Sequence, residues 1–437
     1  MLTAFAGAFR SPDLRKKLLF TLGIIVVYRI GSVIPVPNVN VGQLHTCATA
    51  AQTGAQAGLY SLLSLFSGGA LLQLAIFALG IMPYITASII LQLLTVVIPR
   101  LEALKKEGQS GQNKITQYTR YLTLVLAVLQ STTFITLARN DQLFTNCTGL
   151  LHDDGIFPVV VMILTMTAGT GVIMWLGELI TERGVGNGMS VLIFTQICAA
   201  FPQTLWAIKQ GHAGNTGWVV FFLVILVGLL VMLAVIFVEQ AQRRIPVQYA
   251  KRMVGRRVLG GTTTYIPLKV NQAGVIPVIF ASSLLYIPVL YAQFRPEGWG
   301  ASWIQGHFVK GDHPIYMATY FLLIIFFAYF YVSITFNPEE VADNMKKYGG
   351  FIPGIRAGRP TQDYLSYVLN RLTLPGSLYL GIIALLPMLA ITLLNTNNVQ
   401  NFPFGGTSLL IIVGVGLDTV KQIESQLQQR NYEGFLR

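Results

Sequence analysis

The sequence predicts an all-α polytopic membrane protein with ten transmembrane helices. Three observations support this class. The chain of 437 residues is 53% hydrophobic and only 11% charged, whereas a soluble domain carries about 25% charged residues. Its mean hydropathy is +0.59. Apolar stretches close to the ~20 residues that a membrane-spanning helix needs recur along the whole chain.

Ten apolar stretches, separated by polar or basic loops, are the predicted spans. We place them at 18–36, 73–98, 119–138, 157–177, 188–207, 217–238, 273–293, 314–336, 374–394 and 405–420. The last is short because Asp418 and Lys421 interrupt its apolar run. The first is long enough to stay in the membrane and lacks an Ala-x-Ala-type cleavage site, so we expect no signal peptide.

The distribution of Lys and Arg predicts the orientation. An even number of spans places both termini on one side of the membrane. Of the 30 Lys and Arg residues, 25 fall on that side, and the opposite side holds only Arg29, Arg139, Lys209, Arg295 and Lys310. Positively charged loops stay in the cytoplasm, which predicts that both termini and every large basic loop are cytoplasmic.

Five spans in each half have a consequence for symmetry. If 1–207 and 208–437 are structural repeats, an odd number of spans makes them inverted relative to each other. No residue-level repeat is visible, so this division depends only on the number of spans and on topology. The second half also contains two cytoplasmic loops, 239–270 and 337–372, that are longer than topology requires.

The first of these loops is predicted to be a β-hairpin. RIPVQY and TTTYIPL have the composition of strands. They flank a basic tip that contains Lys251, Arg252, Arg256 and Arg257.

The second loop is predicted to begin with a short helix. Asn337 is a good N-cap and Pro338 a good first residue. Glu339 and Glu340 then lie at the positive end of the helix, and Lys346 and Lys347 at its negative end, before Gly349 stops it. An extended FIPGIRAGRP and a second helix from about Gln362 follow.

The span interiors contain almost no ionisable side chain, which limits the possible functions. Proton- or ion-coupled carriers usually place such groups inside the membrane, and none lies near mid-span here. The histidines all fall in predicted outer loops: His45, His152, His212, His307 and His313. The sequence also lacks a phosphate loop, a dinucleotide motif and a nucleophile–base pair. We therefore expect no metal cluster, no cofactor and no enzymatic activity.

One apolar helix is too short to cross. The stretch GLYSLLSLFSGGALLQ (58–73) has a helical apolar pattern that Gly68 and Gly69 end after about three turns. It is predicted either to re-enter the membrane inside the protein or to lie on the bilayer surface. Its length and weak polar face do not decide between these alternatives.

Several blocks of sequence carry a family resemblance. They are FSGGAL (66–71), FALGIMPYITASIILQLLT (77–95), KKEGQSGQNKITQYTRY (105–121), LGELITERGVGNGMS (176–190), GRRV (255–258), VNQAGVIPVIFASS (270–283), NPEEVADN (337–344), IPGIRAG (352–358) and FGGTSLLI (404–411). Over essentially its whole length the chain resembles the bacterial SecY family, the pore subunit of the Sec protein-export channel. The resemblance implies a gated channel that passes unfolded secretory polypeptides and releases transmembrane helices sideways into lipid.

The resemblance assigns the short apolar helix to a plug at 59–70, a re-entrant helix in the outer funnel. Non-spanning backbone at membrane depth is tolerated when it is buried in protein, and the two glycines supply a bend. The plug residues implied are Leu59, Tyr60, Leu62, Leu63, Leu65, Phe66, Gly68 and Gly69.

The resemblance also implies an apolar pore ring, which dewets a narrow neck and forms a soft seal around a passing chain. The ring residues implied are Ile81, Ile85, Met189, Ile193, Ile279 and Ile411. Met189 departs from the branched aliphatic residue expected there, but it is flexible and still apolar. Without the resemblance, ordinary helix packing would explain each of these residues.

A lateral gate is implied between spans two and three on one side and spans seven and eight on the other. Hydrogen bonds across such a seam contribute only about 0.6–2 kcal/mol each, so a signal sequence can displace them. The polar residues placed there are Gln92, Thr123, Asn271, Ser282 and Ser283. The alternative is that these groups only satisfy their own helix backbones.

In the family, the two folded cytoplasmic loops receive the SecA motor ATPase and the ribosome. The implied docking residues are Lys251, Arg252, Arg256, Arg257 and Arg356. Guanidinium groups suit both RNA phosphates and acidic side chains. The alternative is that the charges only set topology. Ala357 stands where family members usually have proline, which loosens the backbone beside Arg356.

The resemblance implies a channel in the bacterial inner membrane with SecE and SecG as further subunits. Energy would come from SecA or the ribosome, and the substrates would be polypeptides with signal sequences. Two other functions stay open: a secondary transporter for a small solute, and an insertase that handles only membrane helices. Cys47 and Cys147 both fall in outer loops, where a disulfide is possible if their Cα atoms lie within ~7 Å.

Overall fold

The computed structural model describes residues 11–44, 46–47, 67–139, 149–153, 155–210, 215–249, 252–254, 257–259, 263–294, 298, 300–308, 313–394 and 406–435. Its helices are α1 (Pro12–Gly31), α2 (Met82–Val97), α3 (Pro99–Lys106), α4 (Gln109–Arg139), α5 (Ile156–Arg183), α6 (Gly188–Gln210), α7 (Asn215–Gln240), α8 (Ile276–Phe294), α9 (Ala301–His307), α10 (Pro314–Thr335), α11 (Pro338–Lys347), α12 (Arg359–Leu394) and α13 (Gly406–Phe435). Its strands are β1 (Gln242–Tyr249), β2 (Arg252–Val254), β3 (Arg257–Leu259), β4 (Thr263–Lys269) and β5 (Gly350–Phe351).

Each predicted span overlaps one of these helices. In the described part of the chain, six helices are long and apolar enough to cross a membrane alone, and α2 with α3 forms a further pair bent by 100°. α7 has the most apolar surface, and its Leu226, Leu233 and Phe237 side chains are 60%, 62% and 80% exposed. Such surface is stable only against lipid or a partner helix.

The second span differs from its prediction. The helix begins at Met82, and residues 68–81 form successive turns around an isolated bridge. Leu74 and Gly80 have positive φ angles of 43° and 56°, which no helix contains. The backbone polar groups of this apolar segment are satisfied by pairing with the segment after α1. Val36 N donates to Leu74 O at 2.9 Å, and Ile76 N donates to Ile34 O at 2.9 Å. The segment is therefore buried in protein, the condition under which non-helical backbone survives at membrane depth.

Two large apolar clusters each draw on one predicted half. The first includes Leu74, Ile135 and Met166 from residues before 207. The second includes Ile324 and Leu410 from residues after 208. Smaller clusters pack between them, so each half has its own apolar core.

The first of the two long loops is a hairpin, as predicted. β1 and β4 pair antiparallel from Gln242↔Lys269 to Gln248↔Thr263, and β2 pairs with β3 beyond them. β5, from the second loop, adds to the free edge of β1 through Gln248↔Phe351 and Tyr249↔Gly350. The two loops thus share a three-stranded sheet of order β4-β1-β5.

The second loop begins with a short capped helix, as predicted. Asn337 Oδ1 accepts a hydrogen bond from Glu339 N at 3.1 Å at the head of α11, and Pro338 is its first residue. Lys346 and Lys347 occupy its last turn. The following helix differs: α12 runs without a break from Arg359 through the ninth span, over 36 residues. The helix continues through Pro375 and Gly376, although this pair lies where the loop meets the predicted span.

Cys47 is disulfide-bonded and Cys198 has a free thiol. Cys147, the other cysteine in a predicted outer loop, lies outside the described residues. Nearby, Asn38 Nδ2 donates to Asp153 O at 2.8 Å and Asn38 Oδ1 accepts from Asp153 N at 3.0 Å. The segment after α1 is thereby fastened to the segment before α5.

Candidate functional site

Four helices contribute the six predicted ring residues. Ile81 and Ile85 lie one turn apart at the start of α2, and Met189 and Ile193 lie one turn apart at the start of α6. Ile279 lies in the first turn of α8, and Ile411 lies in the second turn of α13.

The structure brings these residues into one apolar layer. Ile85, Ile193, Ile279 and Ile411 share a cluster. Ile81 and Met189 belong to an adjacent cluster that also contacts Ile85 and Ile193. Ile411 is 1% exposed and Ile279 is 6% exposed, so the first of these clusters closes the space between the two halves.

The start of α6, which carries Met189 and Ile193, is held by local hydrogen bonds. Asn187 Oδ1 accepts from Met189 N at 3.1 Å, and Thr181 Oγ1 accepts from Gly188 N at 2.9 Å. Gly188 packs directly on α5, where an added Cβ would lie 1.8 Å from Gly177 O. The helix start is therefore fixed against α5.

The sequence analysis missed one member of the apolar layer. Ile197 is 1% exposed and packs with Ile279 and Ile411. Its position, one turn beyond Ile193 and two beyond Met189, is the signal that was available, because residues four apart share a helix face.

A polar cavity of about 640 Å³ borders the apolar layer on its predicted cytoplasmic side. Val415 belongs both to the cavity wall and to the ring cluster. The remaining walls come from α13 and the start of α6: Asn187, Ser190, Asp418, Thr419, Lys421, Gln422, Ser425 and Gln426. Gln426 Oε1 is buried and accepts no hydrogen bond within the described part of the chain. A polar cavity thus adjoins the apolar layer at Val415.

Of the predicted plug, Leu59, Tyr60, Leu62, Leu63, Leu65 and Phe66 lie outside the described residues. Gly68 and Gly69 are described and have φ angles of 63° and 84°. Left-handed backbone of this kind is the conformation that glycine adopts without strain. The predicted bend therefore exists at these two residues.

The predicted gate residues make no hydrogen bond between the two sides of the seam in the described structure. Thr123 Oγ1 donates to Thr119 O at 2.7 Å, within α4. Ser282 and Ser283 both donate to Ile279 O, at 2.9 and 2.8 Å. These three hydroxyls satisfy their own helices.

The other two gate residues differ. Asn271 is 4% exposed, and its Nδ2 donates to Glu239 Oε1 at 2.6 Å and to Gly274 O at 3.2 Å. It therefore joins the start of the seventh span to the sixth. Gln92 is exposed on α2.

The predicted docking residues that the structure describes lie outside the shared three-stranded sheet. Arg252 and Arg257 are on β2 and β3, and Lys251 and Arg256 lie outside the described residues. Arg356 is exposed in a tight turn shortly after β5. Its carbonyl accepts from Thr361 Oγ1 at 2.8 Å, which fixes the turn at the head of α12.

A family model described as SecY matches residues 75–420. A protein described as protein translocase subunit SecY from Streptomyces galbus is 69% identical over 442 residues, which cover 100% of both chains. A protein of the same description from Mycobacterium tuberculosis is 58% identical over 445 residues, again with 100% of both chains covered.

Solved structures share the fold at low identity. One described as "The structure of a protein conducting channel" has a TM-score of 0.58 at 20% identity and covers 94% of this chain and 91% of that one. One that concerns the plug domain of SecY has a TM-score of 0.60 at 19% identity, with the same two coverages. Canine Sec61 in a ribosome–channel complex has a TM-score of 0.55 at 19% identity, also with those coverages.

Proposed function

The chain belongs to the SecY family, and we propose that it forms the central subunit of a gated channel for polypeptides. The channel passes unfolded secretory chains across the membrane and releases transmembrane helices sideways into lipid. It is a channel subunit and not an enzyme, so the energy for transport comes from a motor ATPase or from the ribosome.

The apolar layer between the two halves carries this proposal. Ile85 and Ile193 come from residues 1–207, and Ile279 and Ile411 from residues 208–437, the two halves that we propose as domains. A neck lined by branched aliphatic side chains excludes water and ions without a charged filter. It also forms no specific bond with a passing side chain, as a channel for many sequences requires.

The proposed plug is 59–70, and its junction with the second span is the bend at Gly68 and Gly69. The proposed lateral gate lies where α2 and α4 face α8 and α10. Thr123, Ser282 and Ser283 satisfy their own helices in this structure, so their part in the gate would begin only when the helices separate. The gate in the closed state then depends on apolar packing, which a hydrophobic signal sequence can replace.

The shared cytoplasmic sheet is the proposed docking surface for SecA or the ribosome. Its hairpin tip and Arg356 present basic groups from both loops, and such groups suit acidic side chains and RNA phosphates. SecE and SecG are the proposed companion subunits. The proposed location is the bacterial cytoplasmic membrane, with both termini in the cytoplasm, because 25 of the 30 Lys and Arg residues then lie inside.

Site-specific photocrosslinking tests the channel. A photoreactive residue is placed at Ile85 or Ile193, and a secretory chain is stalled in mid-passage. Leu226 is the control position, because it is 60% exposed on the apolar surface of α7. We expect crosslinks to the mature part of the stalled chain from both ring positions and none from Leu226.

The distribution of crosslinks also separates the alternatives. Crosslinks from the cytoplasmic loops without any from Ile85 or Ile193 would show that the chain docks but does not pass through the neck. The protein would then be a docking or insertion subunit, and the ring assignment would be wrong.

A further inference from the structure

The junction between the proposed plug and the second span is described from Ser67 onward. Ser67 has helical backbone, and Gly68 and Gly69 follow in left-handed conformation. Ser67 is 4% exposed, and its Oγ accepts a hydrogen bond from Leu71 N at 3.2 Å. Glycine adopts this conformation without strain, so the chain can turn sharply here.

A charged side chain from α1 reaches these carbonyls. Arg29 Nη1 donates to Gly68 O at 3.4 Å. No acidic residue in the described part of the chain pairs with Arg29, and the walls around it are the apolar side chains of α1 and the segment that follows. An arginine in an apolar groove has few partners, so the carbonyl oxygen of Gly68 is a favourable acceptor for it.

A second contact comes from α6. Gly68 lies so close to Gln196 that an added Cβ would be 3.3 Å from both Gln196 Cα and Gln196 O. The Gln196 side chain turns the other way and donates from Nε2 to the hydroxyl of Tyr28. Gln196 is 1% exposed and Tyr28 is 0% exposed. The Tyr28 ring stacks on the ring of Phe77, with 5.8 Å between the centroids. Phe77 lies in the non-helical part of the second span.

We propose that Tyr28, Arg29 and Gln196 form a lock that holds residues 67–70 against α1 and α6 and so keeps the plug seated. We name these three residues the junction lock. The proposal rests on the channel function proposed above. It adds residues outside the plug whose positions set the balance between the sealed and the open state.

The physical basis is the difference in water access between the two states. In the sealed state the Tyr28–Gln196 pair is buried, and removing one partner leaves the other unsatisfied, which costs far more than removing both. In the open state the junction moves away from Gln196 and Phe77, and water can satisfy whichever group remains. Loss of one partner therefore disfavours only the sealed state.

The test is the idle conductance of the complete translocase, reconstituted in planar bilayers without a substrate. Tyr28→Phe alone and Gln196→Leu alone each leave one buried group unsatisfied. We expect each to raise the idle open probability about tenfold, which corresponds to about 1.4 kcal/mol. The double variant Tyr28→Phe with Gln196→Leu removes both partners and is expected to return the open probability to near the wild-type level.

The matched control is Tyr320→Phe. Tyr320 is 3% exposed in α10, and its hydroxyl makes no hydrogen bond within the described structure. This variant should conduct like the wild type. Transport of a secretory polypeptide, measured in the same preparations, shows that each variant is folded.

The outcomes separate the lock from the channel. If both single variants keep the wild-type idle conductance while deletion of 59–70 raises it, the proposed junction lock is wrong and the proposed channel function is retained. If the double variant conducts as much as the two single variants combined, the pairing argument is wrong. If no variant conducts, the plug deletion included, and no polypeptide is transported, the proposed function itself fails and the lock fails with it.

Discussion

The two junction glycines are expected to differ in their response to alanine. Gly68 and Gly69 both have positive φ, but only Gly68 has neighbours within 4 Å of an added Cβ. Alanine in left-handed backbone costs roughly 1–2 kcal/mol. At Gly68 the new methyl group would also lie 3.3 Å from the backbone of Gln196, a contact that only a shift of the junction relieves.

If this strain is released when the junction moves, it favours the open state directly. A change of about 1–2 kcal/mol corresponds to roughly a 5- to 30-fold rise in idle open probability. The rise in idle open probability should lie at or above the upper end of this range for Gly68→Ala and at its lower end for Gly69→Ala. Gly354→Ala is the matched control, because Gly354 also has positive φ with open space around it but lies in the second cytoplasmic loop.

The assay is single-channel recording of the reconstituted translocase, with polypeptide transport as the check on folding. We expect the order Gly68→Ala, then Gly69→Ala, then Gly354→Ala at the wild-type level. Equal conductance for all three variants would contradict this prediction, since it would mean that the junction backbone does not differ between the sealed and open states.

Three further predictions concern other parts of the chain. Asn337→Ala removes the cap of α11 and should cost about 1 kcal/mol, visible as faster amide exchange over 338–347 with the exchange of α5 unchanged. Arg356→Glu should weaken SecA or ribosome binding, more so at low salt, while idle conductance stays at the wild-type level; unchanged binding at low salt would contradict the docking surface. The unreduced protein, unfolded in denaturant, should show one reactive thiol, from Cys198, and three after reduction; three before reduction would contradict the disulfide of Cys47.

The fold could be predicted from the sequence wherever local signals decide the structure. The cap at Asn337 and the hairpin strands follow from the properties of neighbouring residues, and both are present. Residues 68–81 could not be predicted, because hydropathy measures burial and does not distinguish a helix from buried turns. Their backbone is satisfied by residues 34–36, a pairing across the sequence that no local pattern encodes.

The candidate site shows the same division. The ring positions came from the resemblance, because an isoleucine in an apolar span has no local feature that separates a neck from ordinary packing. The strand pair of β5 with β1 joins Gln248 to Phe351, and the hydrogen bond between Tyr28 and Gln196 joins residues 168 apart. Contacts of this kind depend on how the helices assemble, so only the structure reveals them.

The three-stranded sheet joins the two long loops mechanically. Its strands come from both loops, and the base of the hairpin is closed by the bond from Val270 N to Ala241 O at 3.0 Å. A partner that pushes on either loop therefore applies force to the same three-stranded sheet. Antiparallel hydrogen bonds lie across the strands, so a force along β1 is resisted by many bonds at once. The sheet can thus transmit a force to the adjoining ends of α7, α8 and α12 together, before either loop unfolds.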